Sequence, residues 1–251
     1  MLLKRIMPCL LIKDQRLVKT INFKNPKYIG DPINAVKIYN EKGVDEIVIL
    51  DINATRTNSK INFTLVKSFA EECFMPVTYG GGVKSLDDFT KVFNLGVEKI
   101  IVNSLLLEKP EVVKQAIDTF GSQSILASVD VVKESKNNYK IFSYFGKKID
   151  ITLEDYLEYL VEINVGELLV TSVQNEGTWE GFDRYLYQKV NSIVNIPIIA
   201  NGGCGSEEDL IDILYNVDVQ AASLGSMAVY QKKSMGVLIR FPNRGKIIKD
   251  E

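Results

Sequence analysis

The sequence contains no histidine. That absence excludes Ser-His and Cys-His nucleophilic machinery and the usual histidine-bearing zinc sites. Any acid–base chemistry therefore falls to Asp, Glu, Lys, Tyr or Cys. Cysteine is scarce as well: Cys9, Cys73 and Cys204 form an odd, scattered set, which predicts free thiols in a cytoplasmic chain. No apolar run approaches the ~18 residues of a membrane span. Residues 1–12 carry Lys4 and Arg5 and do not read as a secretory leader. A surplus of one charge is also missing. The formal net charge is −2, so neither nucleic acid nor an anionic membrane is expected as partner. No cofactor and no metal site is expected.

What is present is a repeat. Residues 76–88 read as a β-branched strand, then Gly80-Gly81-Gly82, then a helix start at Ser85 with Asp88 in capping-box spacing. Residues 197–209 repeat the arrangement: a strand, Gly202-Gly203, then Ser206 with Asp209. Small-residue steps follow each, Asn103-Ser104 and Gly225-Ser226. Glycine turns admit close backbone approach, and outward-pointing amides of a helix start add partial positive charge, so each arrangement suits a phosphate. The alternative is that the glycines only shape tight strand–helix turns.

Taken in order, residues 5–12 form a buried first strand, and residues 13–31 read as a long polar loop. Helix spacing runs over 32–43, behind Asp31 as cap and Pro32 at the first position. Strands follow at 46–51, before Gly80, and at 99–102, alternating with helices at 61–73, 86–95 and 111–120. In the second half, strands fall at 124–129, 167–171, 198–200 and 221–224. Helices are expected at 153–164, 181–194 and 207–215, a small hairpin at 139–145, and a short helix at 227–233. Eight strands alternating with helices predict a parallel sheet. Two equivalent glycine turns four strands apart favour a closed (β/α)8 TIM barrel over an open doubly wound sheet. The chain is read as one barrel domain over 1–251, with half-barrels of about 1–120 and 121–251.

The strand ends of such a barrel form its active face. The reading puts Leu11, Asp51, Gly80 to Gly82, Asn103, Ser104, Asp130, Thr171, Asn201, Gly202, Gly203 and Ser226 there. Two anion sites on opposite rims imply an elongated substrate with a phosphate at each end. Asp130 is the candidate acid or base, with a capping role as the alternative. Asp51 could orient substrate or hold a loop. Lys19 could close over a phosphate or stay solvated. Gln174, Asn175, Glu176, Gly177 and Thr178 make a polar turn that could touch ligand. Arg5, Glu46, Lys99 and Glu167 stand at strand starts and converge on the barrel floor.

These residues resemble the cyclase subunit family of imidazole glycerol phosphate synthase. The resemblance rests on Lys4-Arg5-Ile6, Gly30-Asp31-Pro32, Leu50-Asp51-Ile52, Gly80-Gly81-Gly82, Phe120-Gly121-Ser122-Gln123, Gly177-Thr178 with Gly181, and Gly202-Gly203. It implies a lyase-type cyclase that takes ammonia from a glutaminase bound at the strand-start face. It implies one phosphate site with Gly81, Gly82, Asn103 and Ser104, and another with Asn201, Gly202, Gly203, Gly225 and Ser226. Asp130 matches the catalytic acid/base, and Arg5, Glu46, Lys99 and Glu167 match the ammonia gate. The family's second catalytic aspartate falls at position 11, where this chain has Leu11. Gln15, Gln174, Glu176 and the tail at 237–242 depart too. Residues 8–11, 17–20 and 25–28 are similar to a side branch that supplies ammonia to a separate sugar amidotransferase in surface-polysaccharide or nonulosonic-sugar synthesis. That role is the expectation here, with true histidine-pathway cyclisation as the alternative.

Overall fold

The computed structural model describes residues 3–135, 138–142, 149 and 151–248. The first half comprises β1 (Arg5–Lys13), β2 (Arg16–Ile21), β3 (Lys24–Gly30), α1 (Pro32–Lys42), β4 (Ile47–Asp51) and α2 (Phe63–Glu72). It continues through β5 (Val77–Gly80), α3 (Leu86–Asn94), β6 (Lys99–Val102), α4 (Ser104–Glu108) and α5 (Pro110–Phe120). The second half comprises β7 (Ile125–Ser135), β8 (Asn138–Ile141), α6 (Leu153–Glu162), β9 (Glu167–Ser172), α7 (Arg184–Ile193) and β10 (Ile198–Asn201). It ends with α8 (Glu207–Ile211), β11 (Ala221–Leu224), α9 (Ser226–Val229) and α10 (Arg244–Ile247). Among the described residues, no helix is long and apolar enough to cross a membrane.

Strands β1, β4, β5, β6, β7, β9, β10 and β11 pair in parallel in that order, and β11 returns to β1 with Arg5 beside Ala221. The result is the expected closed (β/α)8 barrel. Both faces of each strand are buried, which is why residues such as 47–50 and 168–170 read as unbroken apolar runs. Outward side chains pack against the helices in one large cluster, with Tyr39, Phe69, Phe89, Tyr156 and Tyr187 fully buried.

Inward side chains follow the period of two. Along β9 the row is Glu167, Leu169, Thr171; along β6 it is Lys99, Ile101 and then Asn103. Each runs from a charged floor through an apolar middle to a polar mouth. Met7, Val48, Ile101, Leu126, Leu169, Ile199 and Ala221 form that apolar middle.

Several expected boundaries are corrected. Residues 13–31 are not a loop: β2 pairs antiparallel with β1, and β3 with β2. Lys13 faces Arg16 around Asp14 (φ 50) and Gln15 (φ 65), and Ile21 faces Lys24 around Asn22 (φ 52) and Phe23 (φ 61). Two left-handed residues per two-residue turn are the geometry that matches strand twist, here made without glycine. The β7–β8 hairpin sits at the corresponding strand of the second half; residues 143–145 of the expected hairpin lie outside the described residues. The helix expected from 181 begins at Arg184, behind its Asp183 cap. The helix expected over 207–215 changes after Ile211 to a π-helical turn, Asp212–Asn216. The helix expected at 227–233 is Ser226–Val229, followed by a bridge from Tyr230 to Val237.

Two buried tyrosines make a contrasting pair. Tyr187 Oη donates to Asn201 O (2.7 Å) and accepts from Asn201 N (3.1 Å), so removing it orphans a buried amide. Tyr156 Oη is buried with no hydrogen-bond partner among the described residues. Tyr187→Phe is expected to destabilise the barrel by about 1–3 kcal/mol and Tyr156→Phe to be neutral or stabilising; urea titrations of both variants check this.

Candidate active site at the barrel mouth

The strand ends open into a cavity of about 830 Å³ lined by both glycine turns. Gly81 (φ 110) and Gly203 (φ 109) take backbone conformations that favour glycine. A Cβ on Gly81 would run into the Asp51 carbonyl, and one on Gly203 into the Gly181 carbonyl. Each turn therefore packs against its neighbour loop with only backbone facing the cavity.

The helix starts behave differently from expectation. Ser85 with Asp88 and Ser206 with Asp209 do form capping boxes. Their aspartates accept the amides of Lys84 and Ser85, and of Gly205 and Ser206, respectively. Those amides are thus already satisfied. Among the described helices, α4 after Asn103, α5 after Lys109 and α9 after Gly225 start without a side-chain cap, and of these α4 and α9 begin at residues that line the mouth. Ser104 and Ser226, the first residues of α4 and α9, line the mouth together with Gly82 and Gly203, one pair per half-barrel.

Asp130 lies between the two turns and is 6 % exposed. Asn103 Nδ2 donates to Asp130 Oδ2 at 2.8 Å, and Asn201 Nδ2 donates to Thr171 Oγ1 at 3.0 Å. Burial pushes the Asp130 carboxyl up to about 7, against the pull of hydrogen bonds from Thr171 and Asn103. It can therefore hold or release a proton near neutrality. Leu11 lines the same cavity and can do neither.

Asp51 Oδ1 accepts the amides of Asn53 and Ala54, both at 3.0 Å, so this carboxylate shapes the loop after β4. Burial raises its pKa. Glu176 fastens the β2–β3 hairpin across the mouth. Its Oε1 accepts from Thr20 Oγ1 (2.9 Å), its Oε2 from the Phe23 amide (3.0 Å), and its carbonyl from the Asn22 amide (2.9 Å). Gln174 spends both amide atoms on the Lys133 backbone and does not reach the cavity. Lys19 is buried, with Nζ on the Cys9 carbonyl.

At the floor, Arg5 Nη1 meets Glu46 Oε2 at 2.7 Å and Arg5 Nη2 meets Glu167. Lys99 Nζ lies 2.9 Å from Glu46 and 3.4 Å from Glu167. All four residues expected there are in one ring. Burial would lower the Arg5 pKa, but the two carboxylates outweigh it and raise it. The sequence reading missed Thr78, which donates to Glu46 Oε1 at 2.6 Å, and Ser128 and Ser223 at the mouth. The inward period itself marks them: Ser128 lies between Leu126 and Asp130, and Ser223 two residues after Ala221.

A family model described as histidine biosynthesis protein matches residues 5–234. A Pseudomonas aeruginosa protein provisionally named imidazole glycerol phosphate synthase subunit hisF2 is 43% identical over 98% of this chain and 99% of its own. A Streptococcus mutans protein named imidazole glycerol phosphate synthase subunit HisF is 37% identical over 94% of each chain. A Staphylococcus aureus protein of the same name is 40% identical over 90% of this chain and 91% of its own.

The raised Asp130 pKa carries a stability signature. The unfolded carboxyl ionises from about pH 4 and the folded one from about 7, so Asp130 lowers stability as pH rises through that window, up to about pH 7. Asp130→Asn is expected to be more stable than the parent at pH 8, on the order of 1–4 kcal/mol, and by less at pH 5. Thermal unfolding at the two pH values checks it.

Proposed function

Because the chain belongs to the histidine biosynthesis protein family, as a barrel of the imidazole glycerol phosphate synthase cyclase type, we propose that it is the ammonia-using subunit of a glutamine-dependent synthase. The ligand is a bisphosphate held across the mouth, one phosphate at Gly81, Gly82, Asn103 and Ser104, the other at Asn201, Gly202, Gly203, Gly225 and Ser226. The observation that carries this reading is the pair of uncapped helix starts beside two glycine turns, with Asp130 between them. Asp130 is the acid–base residue, Thr171 and Asp51 order its surroundings, Lys19 acts from the hairpin that covers the ligand, and Glu176 holds that hairpin from the loop after β9.

A glutaminase docks at the floor, and ammonia enters through the ring of Arg5, Glu46, Lys99 and Glu167. Beyond the ring lie the Met7, Val48, Ile101 and Leu169 side chains. An ammonium ion would lose its hydration there, whereas neutral ammonia crosses at far lower cost. The apolar interior thus selects the nucleophilic form before it reaches the mouth.

One residue favours a second reading. Leu11 stands where the family's second catalytic aspartate is expected, so cyclisation by two carboxylates is closed to this chain. On that reading the barrel keeps its binding scaffold and passes ammonia to a separate amidotransferase acting on a surface-glycan sugar.

The purified barrel is incubated with the formimino bisphosphate of the histidine pathway and ammonium salt near pH 8, and imidazole glycerol phosphate is assayed. Turnover by the parent is the expected result of the first reading. No turnover by the parent, with turnover gained by Leu11→Asp, is the expected result of the second. If neither variant turns over or binds the bisphosphate, both readings fail.

A further inference from the structure

Lys19 is the only lysine or arginine among the described residues that is fully buried. It lies on β2 next to Val18, which pairs with Leu11 on β1. Its Nζ reaches back to the carbonyl of Cys9, two residues before Leu11. A Cβ placed on Gly225 would stand 3.7 Å from that nitrogen, so the amine borders the second glycine site. It lines the same cavity as Asp130. Among the described residues no carboxylate lies within ion-pairing distance of it, although the surface of the barrel carries many such pairs.

We propose that Lys19, rather than a second carboxylate, is the proton acceptor that works with Asp130 in this mouth, and that Leu11 is what leaves it free to do so. The inference deepens the reading of the mouth as a proton-transfer site and rests on it.

The argument is one of pairing. A buried ammonium is costly unless an anion sits beside it. An aspartate at position 11 would stand on the neighbouring strand, paired with Val18 and so next to Lys19, and would hold Lys19 in its charged form. A charged lysine has no lone pair with which to accept a proton. Leucine removes that anion and packs with Val18 instead.

The groups that face the amine do not restore the charge. Cys9 on β1 and Glu176 on the loop after β9 favour the ammonium, but burial outweighs them and lowers the Lys19 pKa. Burial also raises the Cys9 thiol, which keeps it uncharged. Both Glu176 oxygens are engaged by Thr20 and Phe23. Burial raises Asp130 at the same time. In one cavity burial thus pushes the amine down and the carboxyl up, the directions that bring an acid–base pair toward neutrality. The amine takes one proton from the ligand and the carboxyl returns one. The ammonium and carboxylate so formed reset by exchanging a proton.

The amine can be read without any turnover. Protein carrying 13Cε-labelled lysine is titrated by NMR, with the Lys19 signal assigned by its loss in Lys19→Arg. The expected midpoint lies below the ordinary value of about 10.4, in the direction that burial pushes it, and Leu11→Asp raises it. An ordinary midpoint, or one that Leu11→Asp leaves unmoved, overturns the inference whatever the mouth catalyses. Role is read by product formation from the bisphosphate and ammonium salt. Lys19→Met and Lys19→Arg are both expected to lose about a hundredfold or more. Rescue by Lys19→Arg would mean that only positive charge is required there, and would overturn the proton-acceptor role.

Discussion

Every second side chain of the closed parallel barrel points inward, and this period of two ties floor, middle and mouth together. Glu46 and Glu167 are shared between Arg5 and Lys99 at the bottom because each stands in phase with the apolar residues above it. Such carboxylates are tolerated inside a barrel only when their charge is matched and their lone pairs are occupied. Thr78 completes that requirement for Glu46. Shifting any of these strands by one residue would bury an outward helix-facing residue in the axis and push the ring outward. The same register delivers Asn103, Asp130, Thr171 and Asn201 to the opposite end.

At that end the two half-barrels contribute equivalent parts: a glycine turn, an uncapped short helix, and an asparagine that orients the centre. Asn103 reaches Asp130 directly, and Asn201 reaches it through Thr171. The symmetry breaks at the covering hairpins. The β2–β3 hairpin lies over the mouth and brings in Lys19, held by Glu176 from the other half. Leu11 sits where that hairpin leaves β1. Its influence on chemistry is therefore routed through Lys19.

The barrel was legible because its signals are redundant: apolar strands, capped helices and a repeat that marks the same two turns twice. The ring was legible for a similar reason, since Arg5, Glu46, Lys99 and Glu167 each begin a strand. What escaped the sequence depended on weaker local chemistry. Asp14-Gln15 and Asn22-Phe23 make left-handed turns without glycine, so the hairpin read as a polar loop. Ser104 and Ser226 begin helices of one turn, too short to show a period. The capping boxes at Ser85 and Ser206 were read correctly as helix starts, but their aspartates consume the amides that a ligand would need. Glu176 read as a residue that could touch ligand; it lines the cavity, and its two oxygens also hold the hairpin.

The most direct measurement concerns the path from floor to mouth. In the complex with its glutaminase, aminated product is followed with glutamine and, separately, with saturating ammonium salt, for the parent and for Lys99→Met. The account predicts that Lys99→Met lowers glutamine-driven product about tenfold or more and leaves ammonium-driven product within about twofold. Equal losses with both nitrogen sources, or no loss with either, would contradict passage of ammonia through the ring.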